Sequence, residues 1–274
     1  MAFQTWQVGL DIQNGQLCAL GIQRRRNGWQ LRHWWQHTLP HDTLTHGLLQ
    51  RPETIIAILQ RWRKQLPYRI SLRVGFPPQL VLQQQIELPS QQLREPERSS
   101  YIIAAARRFF PIEPETLALD YRLAEEDGRQ LWLTATRREA LLSWLHCLDK
   151  VRLTPQVLEL TPAALFSLAK TMCLDPAAAL VHRLHDHWLW CSLRQPSLWG
   201  WCATEDVADF TALRQQYLPD ISSCYYSSLK EEALPEGTQW LNPLEAFALR
   251  LPPLPRRPGA FTLAAGLALR PEDS

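Results

Sequence analysis

The chain begins with three apolar runs joined by two short turns, and this opening restricts the fold more than any other part of the sequence. The runs occupy residues 6–12, 17–22 and 29–37. The turns contain Gly15 and Gly28, and glycine readily takes the positive φ of tight turns, so the pattern predicts a three-stranded antiparallel meander. Residues 52–66 then have helical apolar spacing, and residues 68–76 are typical of a strand. Together these elements predict an α/β layer that needs further helices to cover its sheet.

A second pattern follows the Pro77-Pro78 pair. Residues 79–150 predict a strand, a helix, two strands and a helix. The turn between the two adjacent strands is predicted at residues 125–128, which read EEDG. A β-α-β-β-α unit of this length is sufficient for a small subdomain of its own.

The rest of the chain predicts a second lobe and a closing helix. Residues 179–190 and 199–203 predict strands, followed by a helix and a further strand. The proline-rich residues 249–259 are unsuited to a helix or a central strand and predict an extended surface linker. Residues 260–269 predict a small apolar helix that ends before Pro271. At 274 residues the chain suits two lobes, or one lobe with an insertion.

The composition excludes several classes of protein. Hydrophobic residues make up 46% and charged residues 20% of the chain, which is typical of a globular protein. The net charge of +2 gives no support for direct nucleic-acid binding, and the arginine triplet at residues 24–26 predicts a solvated hairpin tip. No run of about eighteen apolar residues and no cleavable leader occurs, so we expect a cytosolic protein without a transmembrane segment. The six cysteines are scattered, and we expect reduced, buried thiols.

The sequence contains none of the common catalytic motifs. It has no G-x-S-x-G turn, no P-loop lysine and no H-E-x-x-H pair. His182, His185, Asp186 and His187 suggest a metal site at first sight. On a continuous strand, however, His182 faces away from His185 and His187, so three ligands cannot converge without a bulge or a kink. We therefore predict neither catalytic residues nor a metal ion.

Five segments carry a resemblance to a known family. They are VGLDI (8–12), VGFPPQLVLQQQIELP (74–89), RRFFPIEPETLALDY (107–121), LTPQVLELTPAAL (153–165) and GAFTLAAGLALR (259–270). In their order and spacing they resemble the PilM family, the actin-like proteins of type IV pilus assembly, and within it the shorter enterobacterial members linked to DNA utilization. The resemblance implies an α/β fold of the actin-like (RNase H-like) type, with two domains and an inserted β-α-β-β-α subdomain.

The resemblance also implies domain boundaries. The core subdomain of domain I would comprise residues 1–78, 151–174 and 260–274, the inserted small subdomain residues 79–150, domain II residues 175–254, and the proline-rich linker residues 249–259.

An actin-type ATPase holds its nucleotide phosphates between two hairpin turns, one from each domain, whose backbone N–H groups face the phosphates. The first turn of the family reads approximately D-I-G-S-S, whereas residues 11–15 here read DIQNG. Asp11 is kept, but Gln13 replaces the first glycine and Asn14 follows it. The long amide of Gln13 would occupy space that the phosphates need.

The second turn and the adenosine side depart further from the family pattern. The family reads approximately V-D-I-G-x at the second turn, whereas residues 181–185 here read VHRLH. His182 and Arg183 thus stand where a carboxylate would be expected, and Mg²⁺ prefers oxygen ligands. Tyrosines at residues 225 and 226 replace a glycine pair on the adenosine side. We therefore predict a pseudo-ATPase without a cofactor; the alternative is an actin-like ATPase that binds ATP and Mg²⁺ and switches its partner affinity with nucleotide state.

The resemblance implies a protein partner as well. It is the N-terminal cytoplasmic peptide of a PilN- or HofN-like inner-membrane protein, which would bind in a groove where the core and the insertion meet. The residues predicted for this groove are Phe76, Val81, Ile86 and Arg107. The expected function is that of a non-catalytic cytosolic adaptor, peripheral to the inner membrane through its partner, in a type IV pilus-like or DNA-uptake assembly. An oligomeric ring or platform follows by analogy.

Overall fold

A computed structural model describes residues 5–89, 94–123, 130–195 and 198–272 of the chain. The turn predicted at residues 125–128 lies outside the described residues. The chain forms two compact units. The first unit contains the residues up to Pro78 and those from Leu148 onward, and the second unit is Gln79–Cys147.

In chain order the strands and α-helices are β1 (Trp6–Gln13), β2 (Gln16–Arg25), β3 (Gly28–Thr38), β4 (Leu44–Thr45), β5 (Leu48–Leu49), α1 (Pro52–Arg63), β6 (Ile70–Phe76), β7 (Val81–Glu87), α2 (Glu97–Phe109), β8 (Leu117–Leu123), β9 (Gln130–Arg137), α3 (Arg138–Asp149), β10 (Pro155–Leu160), α4 (Thr161–Thr171), β11 (Ala179–Arg183), β12 (His187–Ser192), β13 (Trp199–Ala203), α5 (Phe210–Tyr217), β14 (Cys224–Ser228), β15 (Thr238–Trp240), β16 (Leu249–Arg250) and α6 (Thr262–Leu269).

The first sheet of the first unit has the strand order β10-β6-β1-β2-β3-β16. β1, β2 and β3 pair antiparallel, which confirms the predicted meander, and β6 and β10 continue the sheet in parallel. Gly15 and Gly28 take φ values of +85° and +110° in the two turns, a conformation that side chains with a Cβ rarely adopt. The segment predicted as a linker begins with β16, which pairs with β3.

The second sheet of the first unit has the order β13-β12-β11-β14-β15. The prediction of one continuous strand over residues 179–190 is wrong, because β11 ends at Arg183 and β12 turns back antiparallel at His187. In this hairpin His182 pairs with Leu189, which shares a face with His187. His182 and His187 therefore lie on the same face, contrary to the single-strand interpretation.

Two helices join these sheets into one core. α6 packs on β1, β2 and β6 of the first sheet, α4 packs on β12 and β13 of the second, and the two helices pack on each other. All residues of α6 are buried, as expected for a helix that is apolar on every side. Gly266 makes the close approach possible, because a Cβ there would lie 2.0 Å from the carbonyl oxygen of Ala164 on α4.

The second unit has its own sheet and core. Its strands are ordered β7-β9-β8 and are antiparallel throughout. One face carries Ile86, Leu131 and Leu133, which pack with Ile102 and Ala106 of α2. With α3 after β9, the order is the predicted β-α-β-β-α.

Candidate functional site

The turn between β1 and β2 touches the turn between β11 and β12. A Cβ on Gly15 would lie 3.1 Å from ring atoms of both His41 and His185. These two imidazole rings are 5.5 Å apart between centroids and meet edge to face. Burial acts to raise the pKa of Asp186, but its hydrogen bond and charge interaction with His187, a hydrogen bond from Asn14 and a backbone hydrogen bond together hold this pKa below its ordinary value. Side chains of the second turn thus contact the first turn directly.

Asp11 is buried on the inner face of the first sheet. Its carboxylate accepts a hydrogen bond of 2.7 Å from Nε2 of Gln13. A Cβ on Gly75 would lie 3.4 Å from Oδ1 of Asp11 and 3.0 Å from Thr161, so the carboxylate sits beside β6 and the start of α4. Burial raises the pKa of Asp11 to about 7, with the Gln13 hydrogen bond acting in the opposite direction. At neutral pH a large fraction of this carboxyl is therefore protonated.

His182 occupies a closed environment on the inner face of the second sheet. Its Nδ1 is 2.7 Å from Oγ of Ser227, a residue of β14. Burial first, and then the neighbouring His187, lowers the pKa of His182 to about 3. The imidazole is therefore neutral at physiological pH. Nδ1 of His187 in turn lies 2.6 Å from a carboxylate oxygen of Asp186.

Arg183 lies on the opposite face of the second sheet from His182. Its guanidinium stands 4.8 Å from the centroid of the Trp188 ring and forms an ion pair with Glu232. Glu232 also accepts a hydrogen bond of 2.8 Å from the hydroxyl of Tyr226. The guanidinium of Arg183 thus contacts Trp188 of its own sheet and Glu232 in the loop after β14, and it does not point toward Asp11.

The structure therefore brings together only part of the predicted phosphate site. It joins Asp11 to Gln13, links Asn14 to the second turn, buries His182 against β14 and directs Arg183 away. Sequence reasoning missed His41, which lies in a polar loop without periodicity, and Glu232, which is far from Arg183 in the chain. No local signal in the sequence could have found either residue.

The residues predicted for a partner groove belong to both units. Phe76 is buried at the end of β6 in the first unit. In the second unit Ile86 is a core residue of β7. Val81 lies five positions earlier and therefore on the other face of β7. Arg107 on α2 forms an exposed ion pair of 2.6 Å with Glu115. Their role in partner binding stays a prediction.

In the described part of the chain, no three His, Cys, Asp or Glu side chains converge in a way that could hold a metal ion. Over those same residues, no helix combines the length and apolar character required to cross a bilayer.

Comparison with known proteins gives consistent matches. The model of the family described as type IV pilus assembly protein PilM matches residues 9–175. The DNA utilization protein HofM of Escherichia coli (strain K12) is 27% identical over 272 residues, which covers 98% of each chain.

Solved structures match over nearly the whole chain. A chain of a PilM–PilN type IV pilus biogenesis complex is 16% identical with a TM-score of 0.72, covering 96% of this chain and 97% of that one. The cytoplasmic domain of EpsL, an inner-membrane component of the type II secretion system of Vibrio cholerae, is 12% identical with a TM-score of 0.55, covering 96% and 94%. These matches confirm the predicted actin-like α/β fold.

Proposed function

Because this chain belongs to the PilM family of type IV pilus assembly proteins, we propose that it is a non-catalytic adaptor that binds the cytoplasmic tail of a PilN-like inner-membrane protein. The tail would hold the adaptor at the cytoplasmic face of the inner membrane, in a pilus-like or DNA-uptake assembly. The structural relative occurs in a complex with PilN, which supports a partner of that kind.

The contact between the two hairpin turns is the observation that supports a role without ATP. Phosphates of an actin-type nucleotide would lie between these turns, with backbone N–H groups facing them. Here the rings of His41 and His185 pack against Gly15 in that position. A nucleotide would have to displace both rings and break the Asn14–Asp186 hydrogen bond.

The charges around the turns also disfavour a magnesium nucleotide. Mg²⁺ is held through carboxylates, yet the Asp11 carboxylate is buried and accepts a hydrogen bond from Gln13, and the second turn supplies a neutral His182 instead of a carboxylate. Arg183, a cation that could attract phosphate, is paired with Glu232.

Titration calorimetry with Mg-ATP tests the absence of a nucleotide site. We expect no saturable heat with the wild-type protein and no phosphate release on prolonged incubation. Asp11→Asn is the matched variant, because it keeps the shape of the side chain and the hydrogen bond from Gln13. Saturable micromolar binding that this variant loses would instead support the alternative, an actin-like ATPase whose nucleotide state switches partner binding.

Peptide binding tests the partner. A synthetic peptide with the sequence of the cytoplasmic tail of a PilN-like protein should bind the full chain saturably in fluorescence polarisation. Extended tails often bind by adding a strand or by filling an apolar slot, so Val81→Asp and Arg107→Ala should each weaken binding several-fold. Arg108→Ala is the control, since Arg108 is a neighbouring exposed cation of α2.

The outcomes of the peptide experiment separate two claims. If the tail binds and all three variants bind equally well, the groove residues are wrong while the adaptor role stands. If no PilN-like tail binds the wild-type chain, the adaptor role itself fails.

A further inference from the structure

Six exposed cations from three distant segments of the chain lie at one end of the first sheet. We call this surface the basic end, and it consists of Arg24, Arg25, Arg26, Lys64, Arg69 and Arg152. The triplet at residues 24–26 alone predicts only a solvated hairpin tip. Strand pairing adds Arg69 and Arg152 to it, and the loop between α1 and β6 adds Lys64.

The registers of β1 determine this juxtaposition. β1 pairs antiparallel with β2 so that Gln7 is opposite Ile22, and parallel with β6 so that Trp6 is opposite Ile70. The residues that follow Ile22, which stay paired with β3, and the residues that precede Ile70 therefore extend past the start of β1 at the same end of the sheet. The arginine triplet and Arg69 are among them.

β10 brings a further cation to this end. Pro155 is beside Leu72 in the parallel pair of β10 and β6, so the turn before β10, which contains Arg152, lies at the same end of the sheet as Arg69. Neighbouring strands are about 4.8 Å apart, so the ends of β10, β6, β1 and β2 together span about 14 Å. Lys64 follows α1 in the loop that leads into β6.

The loop before β6 is braced and presents an aromatic ring. The guanidinium of Arg63 donates to the carbonyl oxygens of Leu66, Pro67 and Tyr68 over 3.0–3.5 Å. The Tyr68 residue is 90% exposed, more than any other large hydrophobic residue that the structure describes. A tyrosine side chain has an apolar ring and a polar tip, which suits the boundary between a membrane and water.

Ion pairs do not neutralise the cations of the basic end in the part of the chain that the structure describes. Six cations lie on this surface, although the whole chain has a net charge of only +2. Within the described residues none of the six has a carboxylate partner. Glu272, near the start of β6, already accepts a hydrogen bond from Ser71 and lies 3.6 Å from Arg73.

We propose that the basic end binds the anionic phospholipid headgroups of a membrane surface. Exposed lysines and arginines are attracted to anionic lipid, and an interfacial tyrosine adds an apolar contribution. Single-stranded nucleic acid fits this surface less well, because such sites stack successive bases on several aromatic rings and the basic end offers one. The choice of a membrane rests on the proposed function, which places the chain at the inner membrane.

Vesicle co-sedimentation of the full chain tests this proposal. Wild-type protein should bind vesicles of phosphatidylglycerol mixed with phosphatidylcholine and should not bind vesicles of phosphatidylcholine alone. It should dissociate from the anionic vesicles when added salt shortens the Debye length below about 10 Å. Each cation near an anionic surface contributes roughly a fivefold gain in binding, so the loss of four in R24Q/R25Q/R26Q/R69Q should weaken binding by as much as roughly 600-fold. Tyr68→Ser should weaken binding a few-fold, most visibly at moderate salt.

A matched variant controls for the loss of net charge. R108Q/K170Q/R194Q/R256Q removes four exposed cations outside the basic end and should bind the anionic vesicles like the wild type. Equal losses in the two quadruple variants, or wild-type binding to neutral vesicles, would overturn the proposal. So would tighter binding of single-stranded DNA than of anionic vesicles through the same four arginines. The tail peptide should bind the basic-end variant normally, so failure with vesicles is distinguishable from failure of the adaptor role.

Discussion

At the scale of single residues, Asp11 shows how burial has changed the chemistry of the first turn. Its pKa is raised from 3.8 to about 7, so the folded protein keeps a proton that the unfolded chain releases above about pH 4. Stability is therefore lost as pH rises from about 4 to about 7, and the loss amounts to as much as about 4 kcal/mol.

Asp11→Asn should remove this pH dependence. The amide cannot ionise, and its oxygen can still accept the hydrogen bond from Gln13. We expect the variant to match the wild type near pH 4 and to exceed its free energy of unfolding by a few kcal/mol at pH 8. Urea denaturation followed by tryptophan fluorescence, repeated across this pH range, measures the difference.

The effect of Asp11 is measured as the difference between the stability profiles of the variant and the wild type, because His182 also makes stability depend on pH. The pKa of His182 is lowered to about 3, so stability is lost as pH falls below its ordinary value of 6.5, which opposes the effect of Asp11 in the wild type. Subtracting the wild-type profile from that of Asp11→Asn cancels the contribution of His182. A variant that is less stable than the wild type at every pH would contradict the assignment of Asp11 as a structural, partly protonated group.

At the scale of elements, the contact between α4 and α6 depends on a glycine. A Cβ on Gly266 would lie 2.0 Å from the carbonyl oxygen and 2.6 Å from the carbonyl carbon of Ala164, both backbone atoms of α4. Gly266→Ala must therefore separate the two helices despite the better helix propensity of alanine. We expect a loss of about 3 kcal/mol or more, measured by thermal and urea unfolding.

Gly21→Ala is the control for that substitution. Its Cβ would lie 3.0–3.4 Å from side-chain atoms of Trp6 and His33, which can move, and its backbone has no positive φ. A loss below about 1 kcal/mol is expected there. If both variants lost the same amount of unfolding free energy, the close contact between α6 and α4 would not explain the cost of the substitution at Gly266.

The elements could be predicted where one local pattern decides them. The turns at Gly15 and Gly28 and the apolar run of α6 were sufficient for the meander and the closing helix. The hairpin between β11 and β12 could not be found, because residues 184–186 carry neither glycine nor proline. The local sequence pattern indicates that strands occur here. The residue at which the chain turns back depends on the pairing of β11 with β14, which is distant in sequence.

The candidate site was predictable to the same extent. Asp11, Gln13 and Asn14 could be assigned to a turn because that turn lies between two recognisable strands. The contacts of this turn with His41 and His185, and the pairing of Arg183 with Glu232, join residues 26 to 170 positions apart along the chain. Such contacts are set by tertiary packing, and a single sequence contains no signal for them.

At the scale of the whole molecule, the two units differ in how their cores are organised. One core of the first unit contains residues of both sheets, such as Leu20 and Leu189, together with Leu263 of α6. The second unit has a separate core around Leu133 of β9. Shared packing predicts that the two sheets of the first unit unfold together, while the second unit opens by itself.

Leu263→Ala should reveal this cooperativity in native-state hydrogen exchange. The side chain is fully buried, so its truncation should cost about 2–5 kcal/mol. The slowest amides of β2 and β12 should lose protection by the same free energy, because both strands pack in the core that Leu263 belongs to. Amides of β9 should change little.

Leu133→Ala, which is equally buried, is the matched control and should give the reverse pattern. If β2 lost protection while β12 kept it, the sheets would be independent cooperative units, and the shared core would not govern the unfolding of the first unit.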